Sequence, residues 1–153
     1  MHAGRIYYAG VAYYRPRVTE QSSLRCRCGG VRGVATNVSP KTGTRVVCYC
    51  DDCQAFARFL KRPDVLDAAG GTDIFQMAPA HVKITQGEAA LRCLRLSPRG
   101  IIRFYTACCN TPPGNTQSGR GPFVGLVQSF MDHAADGRTS DQVLGPAHRV
   151  RAQ

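Results

Sequence analysis

The chain has 153 residues, 43% of them hydrophobic and 20% charged, which suits one soluble domain with a buried core and excludes a disordered or fibrous protein. Lys and Arg outnumber Asp and Glu by 20 to 10, a net charge of +10, so the expected partner is anionic: nucleic acid, a membrane surface or a small acidic ligand. No apolar run approaches the roughly 18–20 residues of a membrane-spanning helix.

Sixteen Gly and nine Pro predict many turns and short strands, a mainly β chain with little helix. Residues 1–23 carry Arg5, Arg15 and Arg17 among four tyrosines and read as a loose N-terminal extension, with an extra strand as the alternative. The tyrosine-rich Ile6–Tyr14 stretch is a poor signal-peptide core, so the compartment is expected to be reducing and cytoplasmic. In such a compartment the eight cysteines are expected to hold metal, not to pair as disulfides.

Leu24–Val34 reads as a strand that turns at Gly29-Gly30 and returns, with Cys26 and Cys28 on one face by alternation. Such a CxC pair is either half of a metal site or two small buried residues. Asn37–Thr44 is turn chemistry throughout. Arg45–Tyr49 is a β-branched run leading into Cys48-Tyr49-Cys50-Asp51-Asp52-Cys53. In an extended segment Cys48 and Cys50 point the same way, and a helix capped by Asp51 or Asp52 and beginning near Cys53 returns the third thiol to them. Phe56, Phe59 and Leu60 at i, i+3, i+4 are expected on its inner face. Three thiolates at a helix N-terminus suit zinc with one open coordination position.

Pro63 is expected to end that helix, and an all-β half follows. Ile74–Met77 and His81–Thr85 read as strands around an Ala78-Pro79-Ala80 bend, with Val82 and Ile84 inward. Leu91–Leu96 and Ile101–Tyr105 form a hairpin around Ser97-Pro98-Arg99-Gly100. Its arginines Arg92, Arg95, Arg99 and Arg103 are expected on a solvated sheet face, with an anionic ligand as the alternative. The hairpin delivers Cys108-Cys109-Asn110-Thr111-Pro112-Pro113, a stiff turn in which both thiols hold one metal or one thiol packs beside it. Phe123–Val127 is a final strand or a helix start, and residues 128–153 read as an irregular tail. His81, at a strand start, is either a surface residue or a donor to a metal ligand.

The order CxCGG, CxCxxC with a short helix, and a hairpin ending in a cysteine turn with Thr-Pro resembles the glutathione-dependent formaldehyde-activating enzyme family, which includes centromere protein V. The resemblance covers about residues 24–127 and implies a β-tent of small antiparallel sheets built around zinc–cysteine sites. It implies a structural zinc on Cys26, Cys28 and cysteines of the final turn, and a catalytic zinc on Cys48, Cys50 and Cys53. The activity it implies is the condensation of formaldehyde with glutathione, a carbon–sulfur lyase reaction in reverse. One departure stands out: Tyr105 occupies the place of the family's first closing cysteine, and Cys108 matches the second. Cys109 or Cys93 then completes the structural site, or that site has three thiolates. If Cys93 instead joins Cys48, Cys50 and Cys53, both sites close and catalysis at zinc becomes difficult. The competing functional class is a non-catalytic, zinc-stabilised basic domain that binds nucleic acid, although no interleaved aromatic platform or groove-binding helix accompanies the charge. A disulfide-stapled secreted protein is the third reading.

Overall fold

A computed structural model of the chain describes residues 20–151; the expectation for most of the N-terminal extension lies outside them. The strands are β1 (Ser22–Arg25), β2 (Arg32–Ala35) and β3 (Thr44–Cys48), followed by helix α1 (Asp51–Phe59). Then come β4 (Thr72–Met77), β5 (Val82–Gln86), β6 (Leu91–Leu94), β7 (Ile102–Thr106), β8 (Gly114–Thr116), β9 (Val124–Val127) and β10 (Met131–Asp132). Helix α2 (Ser140–Leu144) and β11 (His148–Val150) end the described chain. The protein is mainly β. Its strands form a four-stranded sheet, β10-β1-β2-β5, and a seven-stranded sheet, β11-β3-β4-β9-β8-β7-β6. Every pairing is antiparallel except that of β11 with β3. Among the described residues no helix is long and apolar enough to cross a membrane.

The core draws on both sheets: Leu24 and Ala35 from the first, with Val31 and Val38 flanking β2, and Phe75, Met77 and Leu126 from the second. Thr72, Ile74, Phe75 and Met77 of β4 are all buried, as a central strand covered on two faces requires. Val82 and Ile84 pack partly buried against this core, as alternation predicts. The hairpin β6–β7 forms in the expected place, with Cys93 opposite Phe104.

Three expectations are corrected. The helix starts two residues early because Cys50, not an aspartate, is its cap: Cys50 is extended, at φ −68° and ψ 155°, and its Sγ accepts from the Cys53 N–H at 3.4 Å. Asp51 and Asp52 occupy the first turn instead, where carboxylates complement the helix dipole. Phe59 is 57% exposed, because the inner stripe runs Cys53, Phe56, Ala57, Leu60; Phe59 stacks on Phe56 and meets Tyr105 edge-on. The supposed tail carries β10, α2 and β11. Thr139 and Gln142 form a reciprocal capping box at α2, and Val143 and Leu144 are fully buried. Arg45 fastens α2 to the large sheet through Asp73, Asp141 and the Gly145 carbonyl.

Candidate metal centres

Cys26 and Cys28 lie in the six-residue loop between β1 and β2 and not on a strand face. The loop folds into a knuckle because the Gly29 N–H donates to the Cys26 carbonyl at 2.9 Å and the Cys26 N–H to the Val31 carbonyl at 3.0 Å. The Val31 N–H also donates to Cys26 Sγ at 3.2 Å. The turn that follows β5 closes tightly on this knuckle. Gly87 has φ +74°, and a Cβ there would sit 2.1 Å from the Gly30 carbonyl oxygen, so only glycine permits the approach. The second pair comes from the turn after β7. Asn110, at φ +55°, lets the chain reverse so that its N–H donates to the Thr106 carbonyl at 2.8 Å, and both Cys108 and Cys109 face the knuckle.

The four sulfurs of Cys26, Cys28, Cys108 and Cys109 all lie within 4.8 Å of one another. Three separations are 3.6 Å (Cys26–Cys28), 3.8 Å (Cys26–Cys108) and 3.9 Å (Cys108–Cys109). Four sulfurs about 2.3 Å from a tetrahedral zinc lie roughly 3.8 Å apart, so the set fits such an ion. Cys109 and not Cys93 completes this group. Cys93 is exposed on β6 and joins neither cluster.

Thr111 shows how the group is supported. Its hydroxyl oxygen accepts from the Arg27 N–H and from Arg62 Nη1, each at 3.0 Å, and lies 3.2 Å from Cys109 Sγ. A hydroxyl has two acceptor positions and one proton; with both positions filled, the proton points to the sulfur. Burial pushes the Cys109 thiol up, but bonding with Thr106 and Thr111 and with the Cys28 backbone outweighs it and holds the thiol at about 5. Desolvation and bonding with Cys28 push Cys108 up to about 12. One thiol is thus held ionised beside a neighbour that stays protonated, so an arriving cation displaces protons. Arg62, buried just beyond α1, closes a bidentate pair with Asp64 at 2.7 Å and 2.7 Å.

The second cluster is the expected one: Cys48 at the end of β3, Cys50 capping α1 and Cys53 in its first turn, with all sulfurs within 4.8 Å of one another. Ile74 and Val127 pack against it from the sheet. Burial pushes Cys53 up to about 12 against the pull of the neighbouring Arg103 guanidinium. Cys50 is lowered: burial opposes ionisation, but bonds from Cys53 and Cys48 and the charge of Arg103 prevail. Three sulfurs supply three of the four positions of a tetrahedral ion, and among the described residues no fourth Cys, His, Asp or Glu joins them. This side opens into a cleft of about 640 Å³ whose walls include Asp51, Asp52, Arg99, Arg103, Asn115 and Arg151.

Arg103 departs from the expected solvated face. It is 4% exposed, donates to Cys53 Sγ at 3.6 Å and lies 5.6 Å over the Phe56 ring. Alternation along the hairpin does not reveal which of its faces a distant helix covers, so Arg103 was not legible as a partner of cysteine. His81 bonds to Thr36 at 3.3 Å and joins neither cluster.

No curated protein shows significant similarity to this chain. The crystal structure of a Rhodobacter sphaeroides protein is similar in fold, at TM-score 0.52 and 14% identity, covering 84% of this chain and 99% of that one. A family described as one of unknown function, DUF6151, matches residues 18–152.

Proposed function

This chain belongs to DUF6151, a family of unknown function, and we propose that it is a zinc-dependent carbon–sulfur lyase of a thiol adduct of a small aldehyde. The observation that carries the reading is the contrast between the two clusters: four thiols close around one point, while three converge beside an open cleft. Cys26, Cys28, Cys108 and Cys109 would hold a structural ion, and Cys48, Cys50 and Cys53 a working one. A zinc ion in the second set supplies Lewis acidity and one free coordination position. The protein's own residues do the rest. The cap made by Cys50 fixes two of the three sulfurs on one helix end. Ile74 and Val127 keep water from the sheet side. Arg99, Arg103 and Arg151 outnumber Asp51 and Asp52 in the cleft lining, a balance that suits an anionic thiol such as glutathione. In the reaction, the carbon–sulfur bond of the adduct breaks with its electron pair leaving on sulfur as a thiolate, and the adduct's hydroxyl releases its proton to solvent as the aldehyde carbonyl forms. The motif order that resembles the glutathione-dependent formaldehyde-activating enzymes supports the same chemistry.

In cobalt-substituted protein, glutathione is expected to shift the absorption of one cobalt and leave the other unchanged, and a Cys53→Ser variant is expected to lose the shift. Identical spectra with and without the thiol contradict the reading. A second reading, a zinc-stabilised nucleic-acid-binding domain, draws on the charge of +10 and on Arg25 and Arg32, which face each other across β1 and β2. It requires binding to mixed DNA or RNA that weakens as salt rises.

A further inference from the structure

We propose that Arg103 balances the charge of the open thiol cluster and thereby selects an anionic ligand for its vacant position; this rests on the reading of Cys48, Cys50 and Cys53 as a metal centre. Three arginine side chains in the described residues are 10% exposed or less and lie beside a carboxylate: Arg45, Arg62 and Arg103. Two of them close on their partners, Arg45 with Asp73 at 2.6 Å and Arg62 with Asp64 at 2.7 Å. Arg103 does not. Its nearest carboxylate, Asp52, stands 3.8 Å away with a side chain 56% exposed, too far for a hydrogen bond.

What holds Arg103 in place is instead the Cys53 sulfur at 3.6 Å and the face of Phe56 at 5.6 Å. Arg103 lines the cleft together with the three cysteines. A guanidinium has five N–H donors and stays charged at any physiological pH, so the contact with Cys53 leaves donors for a ligand in the cleft.

Charge explains why such a residue belongs here. A divalent ion and three thiolates sum to −1, and Asp52 adds to the negative field. A neutral fourth ligand leaves the sum unchanged, whereas an anionic one makes it −2 in a partly buried place where repulsion is poorly screened. Arg103 cancels the −1 of the ion and its thiolates before the anion arrives, and it lines the same cleft. The substrate class that follows is a ligand that binds as an anion, a thiolate in preference to a neutral amine, imidazole or water.

The test uses the full chain loaded with two cobalt ions, whose absorption also reports whether both clusters have formed. Each variant is titrated with 2-mercaptoethanesulfonate, an anionic thiol, and with imidazole, a neutral ligand. Arg103→Gln is expected to weaken the anionic thiol roughly 10- to 100-fold, the effect of losing a charged hydrogen-bonding partner, and to leave imidazole near its wild-type affinity. Arg103→Lys, which keeps the charge and loses the planar donors, is expected to fall between. Asp52→Asn removes the competing carboxylate and is expected to tighten the anionic thiol with imidazole unchanged. Equal loss of both ligands in Arg103→Gln would reduce Arg103 to scaffolding and overturn the proposal. If that variant fails to take up two cobalt ions, Asp52→Asn decides: unchanged or weaker thiol binding overturns the assignment. A wild-type protein that ignores both ligands would end the open-centre reading as well, whereas tight thiol binding that survives in Arg103→Gln would end only the role of Arg103.

Discussion

Thr111 is fully buried and its hydroxyl is shared among the Arg27 backbone, the Arg62 guanidinium and the Cys109 sulfur. Valine has nearly the same shape and none of these bonds. Thr111→Val is therefore expected to leave buried donors short of a partner and to lower stability by about 1–3 kcal/mol in denaturant unfolding. Asp64 gives the same network a pH dependence. Hydrogen bonds from Arg62 hold its carboxyl below the ordinary value of 3.8, so as pH falls the unfolded chain takes up the proton first. Its contribution is fully present above that value and lost as pH drops through the depressed folded value. Asp64→Asn is expected to flatten the acid limb of a stability–pH curve below about pH 4; an unchanged limb would remove Asp64 from the account. Sequence alone exposed neither residue. Thr111 reads as turn chemistry, and the charge of Arg62 gives no hint that its side chain is buried.

The α1 segment with Arg62 beyond its end, and strand β7, each reach toward both clusters. Cys50 and Cys53 stand at the start of α1, and Arg62 beyond its end reaches Thr111 beside Cys109. Along β7, Arg103 meets Cys53 and Thr106 lies 3.4 Å from Cys109. The strands from β4 to β7 were legible because short apolar runs are separated by turn residues over Thr72–Thr106. The cysteine motif also announced α1, but the cap fell to Cys50 because its sulfur reaches the Cys53 N–H without leaving the cluster. The end of the chain was misread for physical reasons: β11 is exposed at all three positions and so has no apolar pattern, and α2 is only five residues long. The one available signal was Thr139 with Gln142 three residues on. Because Leu144 is a fully buried part of the main core, Leu144→Ala is expected to cost about 2–5 kcal/mol. A loss below about 0.5 kcal/mol, the range of surface changes, would show that the C-terminal segment does not dock. Gly87→Ala, which would press a Cβ into the Gly30 carbonyl, is expected to destabilise the chain and weaken metal binding at Cys26 and Cys28 more than at Cys48–Cys53.

Across the whole molecule the two sheets share one apolar core, and the cysteine clusters bring loops and element ends together at its edges. The β1–β2 loop meets the β7–β8 turn at one cluster, and β3 meets α1 at the other. Structural zinc sites contribute directly to folding free energy, so removal of metal is expected to lower the unfolding midpoint strongly, and re-addition to restore it. Which cysteines group together was only partly legible. Spacing placed Cys48, Cys50 and Cys53 together and set Cys26 and Cys28 apart, but it could not choose between Cys93 and Cys109. That choice depends on the left-handed Asn110, which turns two neighbouring thiols toward the same point.

The most direct test is zinc per chain in protein purified without chelators or oxidants, for the wild type and for Cys26→Ser, Cys53→Ser and Cys93→Ser. The grouping of sulfurs in the structure leads us to expect two zinc ions in the wild type, one lost in each of the first two variants and none lost in the third. A wild-type chain that is folded and free of zinc, or a Cys93→Ser variant that loses an ion, would contradict it.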